Sequence, residues 1–438
     1  MREKLIGASV ACLLMGGCLL AACSTGEPVA EYAVAQPQVP ERISADDYEA
    51  WIDVRDSNPV DEEFAASLSS FSYRTASAIL GASNAEGGLS GAKDGANSAY
   101  SPISLYYALA FATQGAAGTT AQQMDAVLGA PDAAAVPEQS GNLFRQLASD
   151  PDVTVDLANS IWLSKDYAFE QGFVDVATQQ FYATPFSVEF GTAEADDAMA
   201  GWINEHTNGT IDPQVKTEAS QMASIVNTVY FKGSWLDTFD ASNTSAETFH
   251  AADGDVSADF MKQRIERTGY LDADRYARAS LSFRGGAQMT FVLPAEGVGP
   301  QDILADAALL EEAFGSGEGE AANVTFTVPK GGFDSSFDLI PALESLGMKA
   351  AFGDEADFSN LSATPAYISS VKQESHIAWD EEGAEASAYT SIGMSATSSM
   401  PEELEEVEFT LDRPFLFEIR SSQGVPLFIG LCGNPSAS

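Results

Sequence analysis

An α+β domain is what the sequence predicts, on three observations. Apolar residues recur at helical spacing near the start of the folded region, short β-branched and aromatic runs bounded by turn residues dominate the second half, and no regular strand–helix–strand alternation joins them. The 438 residues carry Lys+Arg 21 against Asp+Glu 64, a formal net charge of −43, with 45% hydrophobic and 10% aromatic residues. That apolar content suffices for a packed core. The negative balance repels phosphate backbones, and no Lys/Arg cluster opposes it, so the sequence gives no support to a nucleic-acid partner.

The chain opens with Met1, Arg2, Glu3 and Lys4, followed by eighteen uncharged residues, Leu5 to Ala22. That length fits either a membrane span or a signal h-region. Leu20-Ala21-Ala22-Cys23 places small residues before a cysteine and resembles the lipobox of bacterial lipoproteins. The resemblance implies a signal peptide over 1–22, diacylation of Cys23 and a lipid anchor on the extracellular side of the cell membrane. Two acyl chains, at about 0.8 kcal/mol per CH₂, anchor stably where one is marginal. Of the four cysteines, Cys12 and Cys18 then leave with the signal and Cys23 carries lipid, so Cys432 alone remains and no intramolecular disulfide forms. Flanked by Leu431 and Gly433, Cys432 reads as a small buried hydrophobe. Residues 23–45, with Pro28, Pro37 and Pro40 and no periodicity, read as a flexible tether, and 46–438 as the folded domain.

Phe64, Leu68, Phe71 and Ile79 mark one face of a helix over Phe64–Leu80, and Leu105–Leu128 has the same period after a Gly/Ser/Ala/Asn stretch at 81–98. Val226–Phe231, Gln288–Leu293, Val324–Val328, Val407–Leu411, Phe415–Ile419 and Pro426–Leu431 read as strands. A helix at Leu339–Leu346 stops at Gly347, and Ser421–Gly424 joins the last two strands as a hairpin turn.

Catalytic chemistry lacks its parts. The three histidines, His206, His250 and His376, lie in no metal-ligand pattern, and no nucleophile elbow, phosphate loop or dinucleotide fingerprint is present. Among 64 acidic residues, any chosen carboxylate pair reads first as solvated surface. The sequence points away from an enzyme and calls for neither metal nor cofactor.

The informative stretch is Glu381 to Met400. At period two, Ala384, Ala386, Ala388, Thr390 and Ile392 share one uncharged, mostly small face, while Glu385, Ser387, Tyr389 and Ser391 share the other. On composition alone this is an exposed loop, yet its small face would fit into a sheet.

Glu381–Ala388 (EEGAEASA) resembles the hinge of a serpin reactive-centre loop, and further serpin-like blocks follow the family's order. They are Asn97-Ser-Ala-Tyr-Ser101-Pro102-Ile-Ser104, Trp202-Ile-Asn-Glu-His-Thr-Asn208-Gly209-Thr-Ile, Asn227-Thr-Val-Tyr-Phe231-Lys232-Gly233-Ser-Trp235, Ala356-Asp357-Phe358-Ser359, Asp412-Arg413-Pro414-Phe415-Leu-Phe and Pro426-Leu-Phe-Ile-Gly430. The resemblance implies a serpin fold of about eight or nine helices on three β-sheets, with an exposed reactive-centre loop over about 381–406. It also implies a suicide-type inhibitor. A serine protease cuts the loop, and before the acyl-enzyme hydrolyses the cut loop inserts as a central strand. About fifteen residues would gain ladder hydrogen bonds at roughly 0.5–1.5 kcal/mol net each. At about 3.3 Å per residue the protease is dragged some ~50 Å, which distorts its oxyanion hole. The uncut protein is then a stored-strain switch of the serpin-loop kind.

Such a hinge needs small inward residues, and Ala384, Ala386 and Ala388 supply them after Gly383, with Ala384 standing where threonine is commoner in the family. By the same resemblance Trp235 lies under the top of the sheet where insertion begins, and Lys330 and Glu381 resemble an ion pair there. Ser101, Ser104 and Asn227 resemble a polar cluster behind the central strands, with Gln373 where many members have histidine and His376 out of register. Counting from Gly383, the bait is Thr397 and the scissile bond Thr397–Ser398. With no Arg or Lys in the loop, elastase-like or subtilisin-like serine proteases fit better than trypsin-like ones, and Met394 or Met400 as bait would favour chymotrypsin-like ones. Glu402, Glu403, Glu405 and Glu406 read either as a solvated linker or as a field that steers basic partners. The expected molecule is a monomer. Two alternatives stay open: a noninhibitory serpin acting as carrier or scaffold, and a tethered solute-binding lipoprotein, though the latter's paired parallel-sheet lobes fit poorly with a strand-rich C-terminal third.

Overall fold

The computed structural model describes residues 29–81, 96–315, 319–384 and 404–437. In chain order the elements are α1 (Tyr48–Ser57), α2 (Glu62–Leu80), β1 (Ser98–Tyr100), α3 (Pro102–Gly115), α4 (Gly118–Leu128), α5 (Val136–Ala148), β2 (Val153–Ser164), α6 (Gln171–Gln180), β3 (Ala183–Val188), α7 (Ala193–His206) and β4 (Ala223–Ser234). There follow β5 (Ser245–Ala251), β6 (Gly254–Asp272), β7 (Tyr276–Ser282), β8 (Gln288–Pro294), α8 (Pro300–Leu304), α9 (Ala307–Phe314), β9 (Glu320–Pro329), β10 (Gly331–Asp338) and α10 (Ile340–Ser345). Last come β11 (Ile368–Trp379), β12 (Gly383–Ala384), β13 (Glu405–Thr410), β14 (Phe415–Arg420) and β15 (Pro426–Cys432).

Among the described residues the strands form a six-stranded sheet, in order β10-β11-β12-β4-β2-β3, and a nine-stranded one, β1-β15-β14-β8-β7-β6-β9-β13 with β5 on β6. The expected α+β serpin fold is there. The third sheet of that expectation is the far portion of the nine-stranded one, because β6 is long enough to serve both portions. It pairs with β9 from Phe260 to Tyr270, with a register break between Ile265 and Thr268, and only its last residues, Tyr270–Asp272, pair with β7. Arg267, at φ +55°, sits in that break.

The helix at Leu105–Leu128 is two helices. Gly118 adopts φ +54°, a left-handed conformation that glycine takes without steric cost, and the chain turns there between α3 and α4. Ser101 caps α3, its hydroxyl accepting from Ser104 N, and Pro102 occupies the first turn. Helix α3 is buried on nearly every side and packs on β2 and β4 of one sheet and β15 of the other, so it forms the middle layer of the molecule. The sequence reading passed over β2 and β3, which bring the six-stranded sheet into the first half of the chain.

The stretch read as a tether lies against the body from Val29 onward. Val29 packs with Trp162, Phe186 and Trp202, Ala33 bridges Phe186 antiparallel, and Val34 N donates to Pro185 O at 2.8 Å. Further on, Ile43 N donates to Ser149 O at 3.3 Å and Arg42 Nε to Asp150 O at 3.0 Å. Strand β3 is the sheet's edge, and its open backbone groups give a non-periodic segment something to pair with. Cys432 is buried, and burial pushes its thiol well above the ordinary range.

Candidate functional site

Strands β11 and β4 are parallel neighbours from Ile368↔Ala223 to Ser375↔Val229, which closes the middle of the six-stranded sheet. Above that seam they part, and β12 enters between them. Ala384 stands opposite Trp379 on β11 and Gly233 on β4, and Gly383 opposite Ser234. A Cβ on Gly383 would lie 2.0 Å from Gly233 O, so this approach of two backbones admits only glycine. Ala384 is 0% exposed and belongs to the main core, which fixes the inward face of the hinge.

The turn into β12 is held at both edges. Trp235 N and Phe239 N donate to Glu382 O and Glu381 O, each at 2.9 Å, and Trp235 Nε1 donates to Asp380 O at 2.9 Å. The Trp235 ring is buried and stacks on Phe283 at 4.4 Å and 10°. Lys330 Nζ lies 2.7 Å from Glu381 Oε2, and Thr244 Oγ1 donates to Glu381 Oε1 at 2.7 Å. Partial burial pushes the Glu381 carboxyl up, but the bonds from Lys330 and Thr244 outweigh it and the net shift is downward. Trp235, Lys330, Glu381, Gly383 and Ala384 therefore form one constellation.

A second cluster lies deeper in the seam. Ser104 Oγ donates to Asn227 Oδ1 at 2.6 Å, and Gln373 Nε2 approaches the same oxygen at 3.3 Å. Gln373 also brackets the backbone of Ser101, accepting from its N and donating to its O, both at 2.8 Å. Ser101, Ser104, Asn227 and Gln373 thus meet across α3, β4 and β11, every one of them buried. Asn227 Nδ2 has no partner among the described residues. Sequence reasoning missed Ser375, whose hydroxyl donates to Ala99 O at 2.6 Å, and Ser335, which accepts from Ala99 N at 2.9 Å. Their signal was the inward parity they share with Gln373 on β11 and with Phe333 and Phe337 on β10. His376 sits outside this cluster, paired with Asp334 at 2.6 Å.

A model of the family described as Serpin (serine protease inhibitor) matches residues 87–435. The chain belongs to the serpin family. It is 31% identical to Serpin-ZXA of Oryza sativa over 84% of this chain and 97% of that protein, and 30% identical to an uncharacterized serpin-like protein of Thermococcus kodakarensis over 77% and 80%. The crystal structure of Serpin48 of the insect Tenebrio molitor superposes with a TM-score of 0.73 at 26% identity, covering 85% of this chain and 98% of that one. A thermophilic serpin, tengpin, in its native state gives 0.74 at 24%, over 86% and 95%.

In this serpin, Glu385, Ala386, Ala388, Thr397 and Ser398 lie outside the described residues, as do Met394, Met400, Glu402, Glu403 and Cys23. Glu405 and Glu406 begin β13, where Glu406 accepts from Arg264 Nε at 3.0 Å and Asn323 Nδ2 at 2.8 Å, which pulls its carboxyl down to about 2. Those two residues are strand rather than linker.

Proposed function

We propose that this serpin is a suicide-type inhibitor of serine endopeptidases, elastase-like or subtilisin-like, with Thr397–Ser398 as the bait bond. The observation that carries the reading is β12: Gly383 and Ala384 already sit between β11 and β4 at the top of a seam that could admit more strand. Continuing that register would bring Ala386 between Phe231 and Ile377, Ala388 between Val229 and Ser375, and Thr390 between Asn227 and Gln373. The inward positions that meet the core are the small ones. The Thr390 hydroxyl would arrive beside Asn227 Nδ2, a buried donor without a partner among the described residues, and such a donor gains most from being satisfied.

In the proposed trap the protease serine attacks the Thr397 carbonyl, its Oγ forms an ester as the peptide bond breaks, and the amine leaves on Ser398. Insertion must then outrun hydrolysis. A native serpin of Arabidopsis, AtSerpin1, is described in a stressed conformation, and the same kind of strain is proposed for this chain. A lipid anchor at Cys23 is proposed as well, on the lipobox-like Leu20–Cys23 alone, which would hold the inhibitor at the outer face of a cell membrane.

The test is incubation of the protein with an elastase-like and a subtilisin-like protease, followed by denaturing electrophoresis and mass spectrometry of the released C-terminal fragment. An adduct that survives denaturation, with a fragment beginning at Ser398, supports the reading. Clean cleavage without adduct assigns the chain to the noninhibitory serpins, carriers or scaffolds, and no cleavage near Thr397 removes the bait assignment.

A further inference from the structure

Strand β3 covers β2 only from Asn159 to Ser164, so among the described residues Val153–Ala158 of β2 have no strand on that side. A cavity of about 290 Å³ opens at this uncovered edge. Phe144, Leu157 and Trp202 are among its apolar walls, and Pro37 and Val39 from the N-terminal segment lie across it. Its polar lining mixes acceptors with groups that can also donate, namely Asn208, which bonds Asp156, and the hydroxyls of Tyr182 and Thr184. Asn159 lines it, is 2% exposed, and its Oδ1 has no hydrogen-bond partner among the described residues; Asn227 stands opposite on β4, yet the two amides do not bond. Asp156 and Glu205 contribute carboxylates on the solvent side. His206 stacks on Trp202 at 4.4 Å, and its Nδ1 donates to Trp202 O at 2.8 Å. Arg42 bonds Asp150 O and Thr154 Oγ1, and its charge also acts on Asp156.

We propose that this cavity binds a small organic cation: an aromatic amine whose ring enters between Phe144 and Trp202, whose ring N–H or hydroxyl donates to Asn159 Oδ1, and whose ammonium meets Asp156. A buried acceptor without a donor loses the full cost of its desolvation, and a ligand N–H restores it. Carboxylates at the mouth select positive charge, and charge-assisted bonds are the stronger ones. An aromatic face takes the apolar remainder and adds cation–π attraction where the ammonium nears Trp202. The site adjoins the seam cluster through Asn159, which stands opposite Asn227, but its proposed ligand is independent of whether the serpin inhibits.

Isothermal titration calorimetry on the full protein tests it with three probes: tryptamine, 1-methyltryptamine, which lacks the ring N–H, and indole-3-acetate, which reverses the charge. Saturable one-to-one binding of tryptamine is expected, weakened about tenfold by ring methylation and abolished by the negative charge. Asp156→Asn should weaken tryptamine by about the same factor. Val39→Trp, at an exposed residue over the opening, should block all binding while the protein stays folded. Absence of saturable binding overturns the proposal, as does equal affinity for the three probes, or tryptamine binding that Val39→Trp leaves unchanged.

Discussion

Asn227 and Gln373 face each other across the β4–β11 seam, one carboxamide oxygen 3.3 Å from the other's nitrogen, with Ser104 and Ser101 closing the cluster from α3. The contact joins the two strands that must separate if a further strand is to enter. It is a polar lock in the seam, flanked on its own layer by the buried hydroxyls of Ser335 and Ser375.

Removing one member leaves the others buried and unsatisfied. Asn227→Ala strands the Ser104 hydroxyl and weakens the hold on Gln373, and an orphaned buried polar group costs about 1–3 kcal/mol. The midpoint of thermal unfolding is expected to fall by several degrees, and spontaneous loss of inhibitory capacity on storage to speed up. A variant with an unchanged midpoint would show that the cluster does not hold the seam.

Ala384 tests the hinge. It is fully buried between Trp379 and Gly233, so Ala384→Arg forces a charge into the core or expels β12 from the sheet. Insertion should slow while cleavage proceeds. The fraction of protease trapped as adduct is expected to drop at least about tenfold, which corresponds to about 1.4 kcal/mol on the competing step. Densitometry of adduct against cleaved product reads this ratio directly.

Gly383→Ala is a subtler lesion. Its methyl would need space already filled by Gly233 O, and forcing a backbone apart typically costs about 1–3 kcal/mol. The variant should fold with the turn at Asp380–Glu382 loosened, seen as faster hydrogen exchange at Trp235 N and Phe239 N. Unchanged protection at both amides counts against the close approach.

The Lys330–Glu381 pair gives a pH dependence with a definite sign. The folded pKa of Glu381 lies below its unfolded value of 4.5, so its contribution is fully present above that value and is lost as pH falls through the lower, folded one. With Lys330 37% exposed, solvent screens the pair to about 0.5–1 kcal/mol. Loop insertion after cleavage is expected to speed up as pH falls through that lowered value, and Glu381→Gln to flatten the dependence. Stopped-flow fluorescence of Trp235 on cleavage measures both.

Much of the strand-rich half was legible. Val226–Phe231, Gln288–Leu293, Val324–Val328, Phe415–Ile419 and Pro426–Leu431 all lie within strands, because each run is rich in the β-branched and aromatic residues that fit a pleated, largely buried surface. Strand β2 was not legible from its run alone: it alternates Val153, Val155, Leu157 with Thr154, Asp156 and Ala158, then carries Asn159 and Ser160 where strand formers were sought. The break between α3 and α4 hid because α3 is apolar on nearly every face, so no change of pattern marks Gly115–Gly118.

Local chemistry in the sequence determined the small inward face at Ala384 and the strands of the second half, since side-chain size and period depend only on neighbours along the chain. Tertiary structure decided the rest. It brought Gln373 to Asn227 from 146 residues away, seated Lys330 on Glu381, and laid Val29–Ile43 along an edge that no local pattern announces. Such pairings arise from strand register and open sheet edges, and those exist only after distant segments have met.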